Sequence, residues 1–216
     1  MDAAIAFLKS GRNEAGINVF STFGEFYLAG YGEGAAPLEA WAAENPIFVI
    51  SQAFVNAASA GKAVLEEAGS ALYDGSNTSG YDAGFKTDAE FQAVLKECGM
   101  EQIARKDVPV PTWFAGTSSA DSVDYWKEAN DCVSDADGEG VYRQDKDSDA
   151  IQTAFANAQL PASERYGISQ VKVSSETPSA AEIYAFLSVY TRYDNTFAYS
   201  NALTYRLDYT SARVAA

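Results

Sequence analysis

Residues 26–44 have the sequence FYLAGYGEGAAPLEAWAAE, and this stretch indicates the fold of the chain. Its first four residues form a short apolar run that is typical of a buried strand. Glycines at positions 30, 32 and 34 then allow the chain to turn tightly. The alanine-rich residues 35–44 predict a helix, which Pro46 ends. We therefore expect a strand, a glycine turn and a helix in direct succession.

The same alternation continues along the chain. Further strands are predicted at residues 47–50, 112–115, 141–143 and 167–174, and further helices at residues 57–67, 88–96, 122–130, 150–158 and 180–190. Alternating strands and helices favour an α/β fold, in which helices cover a mostly parallel sheet. We assign residues 1–195 to one such domain and residues 196–216 to a tyrosine-rich tail or hairpin.

The charge balance excludes two classes of partner. The 216 residues include 15 basic and 30 acidic side chains, which gives a net charge of −15. A surface this negative repels nucleic acids and anionic membranes. No run approaches the roughly 20 apolar residues of a membrane span, so none is expected. Abundant tyrosine, serine, asparagine and aspartate with few lysines suits an extracellular or cell-surface protein.

Histidine is absent from the sequence. The chain therefore cannot by itself carry a Ser-His-Asp or Cys-His catalytic machine. It also has no cluster of cysteine and histidine ligands for zinc. Cys98 and Cys132 either form one disulfide or remain free thiols, and the sequence leaves both alternatives open.

The strand, glycine turn and helix have the form of a nucleophile elbow, where the motif G-x-S-x-G lifts a serine out on a strained turn. Here residues 30–34 are GYGEG, so both flanking glycines are present and Gly32 stands at the serine position. The segment resembles the α/β-hydrolase family, particularly its esterase and polyhydroxyalkanoate-depolymerase-like members.

Two later segments fall in the order that this resemblance requires. Residues 108–116 (VPVPTWFAG) look like the strand before the family's acidic residue, and Asp121 stands close to the position of that acid. Residues 167–173 (GISQVKV) look like the last core strand, after which the family places its histidine. This chain has Ser-Ser-Glu at 174–176 instead. The resemblance covers residues 1–190 and corresponds to the second half of the family's fold.

The resemblance implies loss of the family's chemistry. Gly32 has no atom to attack an ester, and no histidine is present to take a proton. We therefore expect a non-catalytic domain that serves in binding or assembly at the cell surface, with a protein partner or a second copy completing the half-fold. Two alternatives remain: an esterase component whose missing residues come from a companion chain, and a structural subunit of an extracellular assembly.

Other interpretations of these residues also stay open. The glycines are either a plain tight turn or a ligand site at a helix N-terminus, where Glu33 would oppose an anion. Glu33 and Asp121 are candidates for a glycosidase carboxylate pair, which works without histidine. The acidic loop is either solvated or a weak calcium site formed by Asp131, Asp135, Asp137 and Glu139. No other cofactor is expected.

Overall fold

The computed structural model describes residues 26–73, 103–135, 140–144, 170–188 and 190. Several predictions from the sequence lie outside these residues. They are the helices at 88–96 and 150–158, the tail at 196–216, and the side chains of Cys98, Asp137 and Glu139.

Eight strands and four α-helices make up the described part of the chain. The strands are β1 (Phe26–Tyr31), β2 (Val49–Val55), β3 (Leu72–Tyr73), β4 (Ile103–Ala104), β5 (Thr112–Ala115), β6 (Cys132–Asp135), β7 (Val141–Gln144) and β8 (Gln170–Ser174). The helices are α1 (Ala35–Glu44), α2 (Lys62–Ser70), α3 (Ala120–Ala129) and α4 (Ala180–Ser188).

Six of the strands form one sheet in the order β1-β2-β5-β8-β7-β6. The first four run parallel to one another, and β7 and β6 continue the sheet in antiparallel pairing beyond β8. Strands β3 and β4 pair separately as a short antiparallel ribbon. This mostly parallel sheet with covering helices confirms the α/β class.

Helices cover both faces of the sheet, which explains why the central strands are apolar along their whole length. Every residue of β2 and β5 is buried. Helices α1, α2 and α3 pack together on one face, where Phe54 and Phe114 lie 5.7 Å apart between ring centroids. Helix α4 packs on the other face, where Phe186 lies 5.5 Å from Trp113.

The start of α4 has a capping box, a pattern that satisfies the free N–H groups at the beginning of a helix. The Ser179 backbone N–H donates to Oε2 of Glu182 at 2.8 Å, and the Glu182 N–H donates back to Oγ of Ser179 at 3.3 Å. At the other end, the Ser51 hydroxyl donates to the Leu187 carbonyl at 3.0 Å. The capping box stabilises the start of α4, and the bond from Ser51 ties its last turn to β2.

Some element boundaries differ from the sequence prediction. The second strand begins at Val49 rather than at residue 47, because Pro46–Phe48 form a 3-10 turn, and it continues to Val55. The helix predicted from residue 57 begins at Lys62. Residues 57–61 form a loop instead, because the Ala57 and Ala58 N–H groups donate to the Thr117 and Gly32 carbonyls and the Ala60 N–H donates to the Glu39 carboxyl. In the described part of the chain, no helix has the length and hydrophobicity needed to cross a membrane.

Candidate functional site at the carboxyl edge of the sheet

The four parallel strands end at one edge of the sheet, where ligands bind in open α/β folds. This carboxyl edge follows Tyr31, Val55, Ala115 and Ser174. The glycine turn, the loop before Asp121 and the segment 174–176 all lie here, so the structure brings the three segments singled out from the sequence to the same edge.

The glycine turn has the backbone shape predicted for it. Strand β1 runs to Tyr31, and Gly32–Gly34 form a 3-10 turn that leads directly into α1. Gly32 has φ +52°, a left-handed conformation, and a Cβ built there would meet no atom within 4 Å. Gly30 serves packing, because its Cβ would lie 2.8 Å from Cα of Ala35. The serine position is therefore open toward solvent but carries no side chain.

Asn56 joins three loops at this edge. It adopts a left-handed φ of +46° directly after β2. Its N–H donates to the Ala115 carbonyl at 2.9 Å, and its Oδ1 accepts the Thr117 N–H at 3.1 Å. Its Nδ2 donates to Oγ1 of Thr177 at 3.3 Å. One short side chain thus links the ends of β2 and β5 to the loop after β8.

Backbone hydrogen bonds link the other loops at the carboxyl edge to one another. The Ala58 N–H donates to the Gly32 carbonyl, and the Ala57 N–H donates to the Thr117 carbonyl, each at 3.0 Å. The Gly116 N–H donates to the Ser174 carbonyl at 2.8 Å. An oxyanion hole needs backbone N–H groups aimed at a reacting oxygen. These three N–H groups are already bonded within the protein and do not serve that purpose.

A buried carboxyl lies behind the edge. Glu39 of α1 is only 2% exposed, and it accepts hydrogen bonds from the Ala60 N–H at 2.8 Å and the Trp126 indole N–H at 3.2 Å. The Ser122 hydroxyl also bonds this carboxyl. Burial raises the pKa of Glu39, and the three hydrogen bonds partly oppose that rise.

A chain of hydroxyls extends this network into the loop. The Gly61 N–H donates to Oγ of Ser59 at 2.9 Å, and Oγ of Ser59 lies 2.7 Å from Oγ of Ser122. Either hydroxyl can be the donor in the bond between Ser59 and Ser122. The network therefore anchors residues 57–61 to α1 and α3. It was missed in the sequence, where a glutamate in an alanine-rich helix looks solvent-exposed.

The candidate acidic residues Glu33, Asp121 and Asp131 lie at the surface of the described structure. Glu33 lies in the turn after β1 and Asp121 in the first turn of α3, and both are exposed to solvent. Asp131 is also exposed and has φ +52°, whereas Asp135 is the last residue of β6. Within the described ranges, no three potential metal ligands come together. The calcium and carboxylate-pair hypotheses stay predictions.

Cys132 is a free thiol in this structure. Its Sγ donates to the Tyr142 carbonyl at 3.2 Å, and burial raises the pKa of the thiol to about 12. A thiol with so high a pKa is protonated at neutral pH and is a poor nucleophile.

A groove of about 900 Å³ lies beside the carboxyl edge, on the face of the sheet that α4 covers. Trp113 forms part of it, and the Trp113 indole N–H donates to Oγ of Ser174 at 3.0 Å. The Lys172 ammonium lies 3.9 Å from the centroid of the Trp113 ring. The sequence gives no sign of this groove, because its lining residues come from β5, β7, β8 and α4, which are far apart in the sequence.

Comparison of the chain with known protein families, with curated proteins and with solved structures found no match. The class that the fold defines is an α/β domain with a glycine turn at the carboxyl edge of its sheet.

Proposed function

We propose that this chain is a catalytically inactive α/β-hydrolase-like domain that serves in binding or assembly at the cell surface. The observation that carries the proposal is the glycine turn. Its strand, left-handed residue and helix have the shape of a nucleophile elbow, yet Gly32 offers no reactive atom and the chain contains no histidine.

The hydrogen bonds around the turn also support an inactive role. Ala57, Ala58 and Gly116 use their N–H groups to tie the strand ends together. An enzyme of this type instead keeps donors free to meet a developing negative charge. These three donors are therefore committed to the fold and are not available to an oxyanion.

Exposed tyrosines support the binding or assembly role. Tyr31 on β1 is 54% exposed and Tyr184 on α4 is 72% exposed. Tyrosine is enriched in protein interfaces, because it combines a large contact area with a polar tip. A protein partner or a second copy of the chain would cover such side chains.

An ester-hydrolysis assay tests the loss of catalysis. The purified chain is mixed with p-nitrophenyl acetate and butyrate, and a fluorophosphonate probe is used to label any activated serine. We expect no turnover above buffer and no labelling. The Gly32→Ser variant returns a hydroxyl but no base, so it should be equally inactive. Turnover by the wild-type chain would overturn the proposal.

A mass measurement tests the assembly role. Protein from its natural source is weighed first in its native state and then after denaturation. We expect a native mass above the 23.1 kDa of one chain. If a second polypeptide is present and the pair hydrolyses esters, the chain is a hydrolase component. If only copies of this chain are present and removal of residues 197–216 separates them, the role is structural. A lone 23.1 kDa species contradicts assembly.

A further inference from the structure

The buried carboxyl of Glu39 is covered on one side by residues 57–61, the loop after β2. The Ala60 N–H donates to its Oε2 at 2.8 Å, and the Ser122 hydroxyl and Trp126 indole of α3 bond the same carboxyl. Glu39 is only 2% exposed, so this loop and α3 keep water away from it. Movement of either cover would let water reach the carboxyl.

The loop is the weaker of these two covers. It consists of three alanines, a serine and a glycine, and all five residues are half-buried. Opening the loop uncovers no large side chain, whereas moving α3 would uncover Tyr125 and Trp126, which are 9% and 1% exposed. Segments with few buried apolar contacts open locally at a lower free energy than the core does. A movement that hydrates Glu39 therefore begins with the loop.

Both ends of the loop have backbone conformations outside regular structure. Asn56 has φ +46° and Gly61 has φ +95°, and hinges are a few residues at the ends of elements that absorb such changes. Between them, the Ala57 and Ala58 N–H groups hold the loop to Thr117 and Gly32. Opening the loop would break these two bonds and uncover the carboxyl edge between the glycine turn and the end of β5.

The proton on Glu39 links this movement to pH. Burial raises the pKa of Glu39 while the loop is closed. When the loop is open, water solvates the carboxylate and the pKa returns toward its usual value of 4.5. The closed arrangement therefore holds the proton more tightly, and loss of the proton at higher pH shifts the equilibrium toward the open loop.

The groups around Glu39 leave this direction unchanged. The charge of Glu39 acts on Tyr125 of α3, and burial raises the pKa of that tyrosine, so it stays neutral below pH 10. Strands β1 and β2, which lie beneath α1, carry no charged residue. The charged side chains on the other neighbouring elements are Lys62 and Glu66 of α2, which pair in solvent, and Arg105 and Glu128, which also act on Tyr125.

We propose that loss of the proton from Glu39 opens the loop of residues 57–61, so that the carboxyl edge is closed in acid and becomes accessible as the pH rises. Ligands of open α/β folds bind at this edge, and access to it would then depend on pH. The proposal does not depend on whether the edge has lost hydrolase chemistry.

Amide hydrogen exchange, followed residue by residue in NMR spectra from about pH 4 to pH 8, tests the proposal. Dividing each rate by that of an unstructured peptide at the same pH gives the opening constant of the amide. Ala57, Ala58 and Ala60 report on the loop. Gln52, whose N–H donates to the Pro111 carbonyl at 2.9 Å in the buried strand β2, reports on the core.

We expect the opening constants of the three loop amides to rise together with pH and to stay above that of Gln52. One proton allows a rise of at most about tenfold per pH unit. The proposal is wrong if the loop amides have the same opening constants at every pH, or if they open only together with Gln52.

Two glutamine variants of α1 identify the group that titrates. Glu39→Gln keeps the shape of the side chain but has no proton to lose, so the opening constants of its loop amides should not depend on pH. Glu44→Gln, at the exposed end of the same helix, should keep the wild-type response. A pH response that persists in Glu39→Gln overturns the proposal. If Glu39→Gln does not fold, the loop and Gln52 amides of the wild type still decide whether the loop opens with pH.

Discussion

The indole N–H of Trp126 lies 3.2 Å from Oε1 of Glu39, and this bond joins α3 to the helix that begins at the glycine turn. Both side chains are almost completely buried, at 1% and 2% exposed. The same carboxyl accepts the Ala60 N–H at 2.8 Å. A single buried acid thus holds α1, α3 and the loop behind the carboxyl edge in one arrangement.

Replacing Glu39 by alanine should destabilise the fold strongly. The substitution leaves the buried Trp126 indole N–H and the half-buried Ala60 N–H without an acceptor, at about 1–3 kcal/mol for each fully buried unsatisfied group. We expect the free energy of unfolding to fall by about 2–4 kcal/mol in urea denaturation. Glu44→Ala, on the exposed end of the same helix, should change it by less than about 0.5 kcal/mol. Equal losses in the two variants would contradict the anchoring role.

The stability conferred by Glu39 should depend on pH. Burial raises its pKa in the folded protein above the usual 4.5, so the folded state holds the proton more tightly than the unfolded state does. The stability that proton binding by Glu39 adds to the folded protein is therefore complete below pH 4.5, and it is lost as the pH rises through the pKa of Glu39 in the folded state. Relative to Glu39→Gln, which stays neutral, the wild type should lose stability as pH increases from 4.5. Urea unfolding midpoints of the wild type and Glu39→Gln, taken across the pH range, measure this loss. If the gap between the two midpoints does not change with pH, the prediction is wrong.

Glu182 should show the opposite pH dependence. The backbone N–H and hydroxyl of Ser179 bond its carboxylate and lower its pKa below 4.5. Its contribution is therefore present above pH 4.5 and is lost as pH falls through the folded pKa. Compared with Glu182→Gln, the wild type should lose stability on acidification. The effect should be small, because the group is fully exposed to solvent. If the wild type instead loses stability relative to Glu182→Gln as the pH rises, as predicted for Glu39, the result contradicts the capping box.

Local sequence patterns predicted the helices and strands whose ends are marked by residues within or next to them. The helix at Ala35–Glu44 and the strand at Thr112–Ala115 have the predicted bounds, because glycine, proline and apolar runs mark their ends. The glycine turn was predicted for the same reason. The α/β class followed from the alternation of elements.

Features that depend on distant contacts were not predicted. Residues 57–61 were predicted as the start of a helix, but the N–H groups of Ala57 and Ala58 bond to Thr117 and Gly32, which are far away in the sequence. Trp113 and Lys172 meet only because they are paired across β5 and β8. Sequence periodicity does not indicate which distant strands pair with each other, and the groove was therefore not predicted.

Gly30 at the end of β1 and Gly34 in the turn that follows should respond in opposite ways to one added methyl group. In Gly30→Ala the new Cβ would lie 2.8 Å from Cα of Ala35, a backbone atom that cannot move without shifting α1. Overpacking of this kind costs about 1–3 kcal/mol, so we expect a lower unfolding midpoint. In Gly34→Ala the Cβ meets nothing within 4 Å, and the residue already has a helical φ of −69°.

The Gly34→Ala variant therefore serves as the matched control. Alanine restricts the unfolded chain more than glycine does, which should stabilise the folded protein by about 0.4–1 kcal/mol. Thermal and urea unfolding of both variants measure the two effects under one set of conditions. Close packing of β1 against α1 requires that Gly30→Ala be the less stable of the two. If the variants are equally stable, the turn is not held against the helix, and Gly30 is free to accept a side chain.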